Sequence, residues 1–313
     1  MKCDAVFEGG GVKGLAFIGA IQETEKQGYS FNRIAGTSAG SIIASLLAVG
    51  YTGKELELMM DELSFLFFLK PDLIGRLPVV GKGLNLLFKN GIYSSIHIEK
   101  WLDNKLKAKG VTTFGDLPAG KLKIIVSDIS NGRLVIIPDD LHQYRLSWES
   151  FPISLAARIS SSIPYFFQPY ILYLPDRTRI YMVDGGLLSN YPIWLFDARH
   201  SPRWPTFGYR LKAAEMFQQP NRIAGPITMF MAIFSTMMEA HDRRHIEEAN
   251  ASRTVFIPVE NIKATDFSLT NEQKIQLIEL GRSETRQFFT IWNFVEYIEK
   301  HRNPNNRFTQ KLS

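Results

Sequence analysis

Two short stretches near the start of the chain share one plan: an apolar run, a glycine turn, then a helical pattern. The first is DAVFEGG (4–10) followed by VKGLAFIGAIQETEKQG (12–28), and the second is FNRIAG (31–36) followed by SAGSIIASLLAVG (38–50). Leu15, Ile18 and Ile21 recur at helical spacing, and Gly28 stands where a helix stop is expected. Strand, glycine turn and helix, twice over, predict an α/β chain with a parallel sheet.

Later segments extend the pattern. KLKIIVSDI (121–129), GRLVIIP (132–138), RIYMVDGG (179–186) and RTVFIPV (253–259) read as strands. SLAARISSSIP (154–164) reads as a helix closed by a proline, and 227–249 as a long helix. Residues 270–298 read as one terminal helix, with Thr270 and Gln273 spaced for a capping box. No repeat or low-complexity linker interrupts the chain. Prolines and charges collect softly at 197–205.

With 313 residues, 45% of them hydrophobic and 21% charged, the chain can bury a sizeable core. A net charge of +5 and a pI near 9.1 are too mildly basic to imply nucleic acid, and no Lys/Arg block suggests a nucleic-acid arm. The same balance suits an anionic membrane surface. Cys3 is the single cysteine, so no intrachain disulfide or cysteine metal cage can form. The N-terminal apolar run is interrupted by Glu8 and glycines and does not read as a signal peptide. No run reaches the roughly 20 apolar residues of a membrane span. The expected location is cytoplasmic or peripheral at a membrane, with a signal-free secretion route left open.

Gly36-Thr37-Ser38-Ala39-Gly40 is a G-x-S-x-G set between a predicted strand and a predicted helix, the context of a nucleophile elbow. Flanking glycines allow a sharp turn that lifts the Ser38 hydroxyl above the sheet, at a helix N-terminus that favours developing negative charge. The plain alternative is a packing turn with Ser38 as N-cap.

Gly9, Gly11 and Gly14 have the G-x-G-x-x-G spacing of a dinucleotide site. Such a site wants a carboxylate about 20 residues on, at the tip of the second strand. That strand ends in Gly-Thr-Ser, so the pyrophosphate reading is set aside. The better reading has Gly9, Gly10 and Gly11 presenting backbone N–H groups to an oxyanion, with Lys13 adding positive charge. Asp184, at a strand end before Gly185 and Gly186, is the candidate proton acceptor; its plain alternative is a turn or N-cap residue.

These three motifs, in this order, resemble the patatin-like phospholipase family. SSIPYFFQPY (161–170) is also similar to the family's segment before the aspartate. The resemblance covers roughly residues 4–197, with a weaker likeness to bacterial-type members at 265–289. One departure is Glu8, where many members carry aspartate. The resemblance implies a three-layer α/β/α fold around a mostly parallel sheet, and lipid ester hydrolysis by a Ser–Asp dyad without metal or cofactor. Ser38 would be the nucleophile, Asp184 the base, and Gly9 to Gly14 the oxyanion loop. The expected division is a catalytic core at 4–197 and a C-terminal helical extension at 198–313 packed on the same domain.

Six histidines test the dyad. His97, His142, His200, His241, His245 and His301 lack the turn-and-glycine setting of the other motifs. His241 and His245 have the spacing of a zinc pair, but two arginines lie between them and the glutamate of H-E-x-x-H is missing. The apolar, proline-broken stretch at 51–93 reads as ordinary core or as a cap that lines an acyl pocket or touches a bilayer, with Lys70, Arg76, Lys82 and Lys89 near phosphates. MFMAIFSTMM (229–238) could line the same pocket. The expectation is a serine acyl hydrolase, of phospholipase A or lysophospholipase type, acting on phospholipid or related esters. An acyltransferase on the same scaffold and a non-catalytic lipid- or nucleotide-binding module are the alternatives.

Overall fold

The computed structural model describes residues 1–61, 65–69, 85–86, 88–198, 201–212, 223–225, 228–230, 232–234, 236–237 and 248–302. The two opening units form as expected. β1 (Lys2–Phe7) leads through a single 3-10 turn into α1 (Ala16–Lys26), and β2 (Ser30–Thr37) leads directly into α2 (Ala39–Ala48). α3 (Gly53–Asp61), β3 (Gly91–Tyr93) and α4 (Ile96–Ala108) follow. Then come β4 (Leu122–Asp128), β5 (Arg133–Ile137), α5 (Ile153–Ser160), β6 (Tyr165–Phe167), β7 (Tyr170–Tyr173) and β8 (Arg179–Asp184).

Residues past 197 complete the sheet rather than only covering it. β9 (Thr206–Lys212) and β10 (Thr254–Pro258) join the central sheet in the order β10-β9-β1-β2-β4-β8-β7, with β5 a further partner of β4. β10 is the strand read at 253–259, and β9 is a second strand that the helical extension also supplies. β9 escaped the sequence reading because Arg210 and Lys212 break its apolar pattern. Arg210 is nevertheless buried, because it pairs with the buried Glu8 at 3.2 Å.

β10, β9, β1, β2 and β4 run parallel to their neighbours, whereas β8 is antiparallel to β4 and β7 is antiparallel to β8. The chain is thus a mixed α/β fold with a mostly parallel sheet flanked by helices. Alternate β1 residues point to opposite faces. Cys3, Ala5 and Phe7 enter the main core with Phe17, Ile18, Leu46 and Ile278, while Val6 meets Ala35 and Phe196 on the other side.

The single terminal helix expected at 270–298 is two: α6 (Asn271–Ile291) and α7 (Phe294–His301). Thr270 and Gln273 do form the capping box. The break comes at Asn293, whose side chain accepts from the N–H groups of Val295 and Glu296 and starts a second helix. α6 lies against α1 almost backbone to backbone. A Cβ on Gly19 would sit 1.8 Å from the Ile278 carbonyl oxygen, and one on Gly281 would sit 1.8 Å from that of Ala16.

Candidate active site

The site forms where two neighbouring parallel strands end. Phe7 of β1 pairs with Gly36 of β2, so the glycine loop after one strand and Ser38 after the other emerge side by side. Glycines let the two turns close on each other. A Cβ on Gly40 would lie 2.4 Å from the Phe7 carbonyl oxygen, and one on Gly36 would lie 2.2 Å from that of Gly40. Gly14 faces Ala39, where an added Cβ would make an ordinary 3.4 Å contact. Thr37 donates its hydroxyl to the Ser189 carbonyl at 3.2 Å.

Ser38 has φ 52° and ψ −126°, a strained conformation for a non-glycine residue and the one a strand–turn–helix elbow imposes. Its hydroxyl donates to Asp184 Oδ2 at 2.6 Å in a buried setting. Asp184 Oδ1 accepts the Gly186 N–H at 2.7 Å. One Asp184 oxygen therefore caps the turn, and the other faces the serine. Gly185 must be small, because a Cβ there would lie 2.2 Å from the Ile125 carbonyl oxygen. Burial drives the Asp184 carboxyl up to about 7, against the hydrogen bonds from Ser38 and Gly186, which favour the ionised form.

β8 reaches this point differently from the sequence reading. The pattern predicted a parallel sheet, but β8, which ends in Asp184, is antiparallel to β4. β5 takes one edge of β4 along Ile124–Asp128. β2 and β8 therefore share the other edge and run toward each other, Thr37 beside Ile125 and Asp184 beside Val126.

The glycine loop divides its amides. Gly9 was expected among the oxyanion donors, but its N–H is already bonded to the Asn190 carbonyl at 3.2 Å. Val12 N–H goes to Ala264 and Lys13 N–H to Gly10. Among the described residues, the N–H groups of Gly10 and Gly11 meet no acceptor. Gly11 has φ +57°, which favours glycine, and a Cβ there would lie 1.9 Å from the Ala264 carbonyl oxygen. Glu8 anchors the loop from below: Oε1 accepts from Arg210 Nε and Oε2 from the Leu211 N–H at 2.6 Å. Asn190, which the sequence reading missed, also donates Nδ2–H to the Gly9 carbonyl. Its only signal was an asparagine shortly after the Asp-Gly-Gly turn.

The histidines of the described residues lie elsewhere. His97 packs on Phe67, His142 contacts the Asp139 carbonyl, and His301 packs on Tyr297. His200, His241 and His245 lie outside the described residues, as do Lys70, Arg76, Lys82 and much of 227–249. Among the described residues no cluster suits a metal ion, and no helix is long and apolar enough to cross a membrane. A second apolar cluster joins Phe68, from the proline-broken stretch, to Phe234, Ile163 and Phe167. Ile42 and Leu187, close in sequence to Ser38 and Asp184, pack against it. A separate open cavity of about 520 Å³ is lined by Lys2, Arg33, Lys121 and Trp204. It opens where β1, β2 and β4 begin, the end of the sheet away from Ser38.

A mostly parallel α/β sheet thus brings a serine at a strand–helix turn, a buried aspartate and a glycine loop together at its strand ends. The sequence model for patatin-like phospholipase matches residues 5–197. The chain belongs to the patatin-like phospholipase family. It is 42% identical to the uncharacterized protein YqhO of Bacillus subtilis over 94% of this chain and all of that protein. It is 28% identical to a cGAMP-activated phospholipase of Escherichia coli over 60% of this chain and 52% of that one. The solved structure of VipD from Legionella pneumophila superposes with a TM-score of 0.58 at 20% identity, covering 92% of this chain and 66% of VipD. That likeness is one of fold.

Proposed function

We propose that the protein is a serine acyl hydrolase that cleaves fatty-acyl esters of phospholipids or related lipids through a Ser38–Asp184 dyad. The observation that carries this reading is the direct 2.6 Å hydrogen bond between the two side chains, with Asp184 buried and its carboxyl raised to about 7. A base poised near neutrality is matched to taking a hydroxyl proton at physiological pH.

In this mechanism Ser38 Oγ attacks the ester carbonyl as its proton passes to Asp184 Oδ2. The Gly10 and Gly11 N–H groups stabilise the resulting oxyanion at the start of the 3-10 turn Gly11–Leu15. Protonated Asp184 then protonates the leaving alkoxide, freeing the lysolipid and leaving an acyl-serine. Water attacks the acyl-serine as its proton passes to Asp184, which hands that proton to Ser38 Oγ as the acyl–serine bond breaks and the fatty acid leaves. Membership of a phospholipase family supports the lipid substrate. In this reading the core at 4–197 carries the chemistry, and β9, β10 and α6 buttress it. Leu66 (53% exposed), flanked in sequence by residues of the second apolar cluster, and Phe88 (78% exposed) present apolar groups to solvent, which supports peripheral contact with a lipid surface.

The test is mass spectrometry of products from mixed phospholipid vesicles, comparing the wild type with Ser38→Ala. Free fatty acid and lysolipid from the wild type alone are expected. Equal product from both would remove Ser38 from the mechanism. Appearance of the acyl group on an added alcohol in place of free acid would make the protein an acyltransferase on the same scaffold.

A further inference from the structure

SSIP (161–164), with Ser160 before it, resembles a family segment but has no role in the chemistry above. Three consecutive serines end α5, and each touches one half of the dyad through the backbone. Ser160 Oγ accepts the Ser38 N–H at 2.9 Å and donates its proton to the Ile125 carbonyl at 2.6 Å. Ser161 Oγ lies 3.1 Å from the Ser38 carbonyl oxygen and 2.8 Å from that of Ala157, sharing its one proton between them. The Ser162 carbonyl accepts the Asp184 N–H at 3.0 Å. Ser160 and Ser162 have no exposed surface, and Ser161 is 6% exposed.

A non-glycine residue at φ 52° persists only where its surroundings over-determine it. Ser38 is held at both ends of its peptide: Ser160 takes the N–H, while Ser41 and Ser161 reach the carbonyl. Ile125 is also the β4 residue that pairs with Thr37. The Ser160 hydroxyl thus ties the nucleophile's amide to the rung where β2 ends. An acceptor for Ser38 and a donor for Ile125 are needed from one small buried side chain. A hydroxyl supplies both and a methyl supplies neither.

We propose that Ser160 is a positioning residue for the reaction, its hydroxyl holding Ser38 in the strained conformation that keeps Oγ aligned with Asp184. This rests on Ser38 being the nucleophile. Ser160 acts through Ser38 and does not touch the substrate. Displacement of a reacting group by about 1 Å costs on the order of 10²-fold in rate. The effect falls on kcat, because substrate binding does not use the Ser160 hydroxyl.

The experiment compares Ser160→Ala, Ser160→Thr and Ser38→Ala, as full chains, on a soluble fatty-acyl ester. Active sites are counted by fluorophosphonate labelling and folding is followed by circular dichroism. Ser160→Ala is expected to lose on the order of 10²-fold in kcat per folded molecule and in labelling rate, with KM within about threefold. Ser160→Thr, which keeps the hydroxyl, should recover at least tenfold of that loss. The pH at which the rate reaches half its maximum should rise in Ser160→Ala, because a misaligned Ser38 hydroxyl no longer favours the ionised form of Asp184. Should Ser160→Thr pack badly, Ser161→Ala, which leaves the Ser160 bonds in place, should lose at least tenfold less than Ser160→Ala. A kcat per folded molecule within threefold of wild type for Ser160→Ala would overturn the proposal, as would an equal loss in Ser161→Ala. If instead Ser38→Ala retains activity, it is the dyad itself that fails.

Discussion

Thr37 and Asp184 end their strands on adjacent rungs of one edge of β4, beside Ile125 and Val126. β2 arrives parallel to β4 and β8 antiparallel, so the two strands meet nearly head-on. The residue after Thr37 is Ser38, and it falls within 2.6 Å of the last side chain of β8. Two residues distant in sequence become a hydrogen-bonded pair because sheet register fixes both strand ends. A one-residue slip of either strand would turn its terminal side chain to the opposite face.

The first prediction concerns pH. Only ionised Asp184 accepts the Ser38 proton, and burial raises its carboxyl to about 7. Turnover of a soluble ester should climb about tenfold per pH unit below that value and flatten above it. A pH–rate profile of kcat/KM measures this. A flat profile between pH 5 and pH 8 would remove Asp184 as the base.

Asp184→Asn separates activity from stability. Turnover should fall by at least about 10⁴-fold, on the scale seen when a catalytic triad carboxylate is replaced by its amide. The folded protein should nevertheless melt higher than wild type at pH 8. A carboxyl whose pKa is raised on folding lowers stability as pH rises from its unfolded value, near 3.9, through its folded value of about 7. The melting difference should therefore be full above pH 7 and vanish near pH 4. Thermal melts across that range check the sign.

The two free-amide glycines should fail in different ways. At Gly10 a new Cβ would meet only the end of the Leu211 side chain, 2.2 Å from Cδ1, and that group can swing away. Gly10→Ala should fold normally and lose about 10- to 10²-fold in kcat as the donor shifts, less than the 10²–10³ cost of a donor removed outright. At Gly11 the positive φ and the Ala264 carbonyl both oppose a side chain. Gly11→Ala should lose more activity and also melt several degrees lower, since a left-handed non-glycine residue costs about 1–2 kcal/mol before any clash. Steady-state kinetics beside melting curves would distinguish the two. Equal stability losses would mean the loop geometry is wrong.

A dyad predicts that no histidine is essential. Alanine at His97, His142, His200, His241, His245 or His301 should each leave kcat within about tenfold of wild type, whereas loss of a triad nucleophile or base reaches about 10⁶-fold. A single histidine variant as inactive as Ser38→Ala would make the site a triad.

Leu66→Glu and Phe88→Glu probe the lipid surface. Both side chains are exposed, so neither change should disturb folding. Hydrolysis of phospholipid vesicles should drop by about tenfold or more, through lost apolar burial and charge repulsion at an anionic surface, while soluble ester turnover stays constant. Vesicle co-sedimentation gives the matching binding measurement. A parallel fall in both activities would place these residues in the fold rather than at an interface.

Much of the candidate site was legible in the sequence because its elements are local. A glycine that must turn, a serine between strand and helix, and an acid before two glycines each carry their reason within a few residues. The apolar periods of β1, α1, β2 and α2 likewise declared themselves, as did the Thr270 capping box. What the sequence could not hold was any relation between distant backbones. The antiparallel entry of β8, the loss of the Gly9 amide to Asn190, the burial of Arg210 by Glu8 and the clasp of Ser160 on Ser38 each join residues far apart in sequence. Their physical cause is pairing of buried polar groups, which must find partners wherever the packed chain offers one. Local chemistry therefore named the proposed reacting groups, while tertiary packing decided which amides remain free, which charge is neutralised and how Ser38 is held.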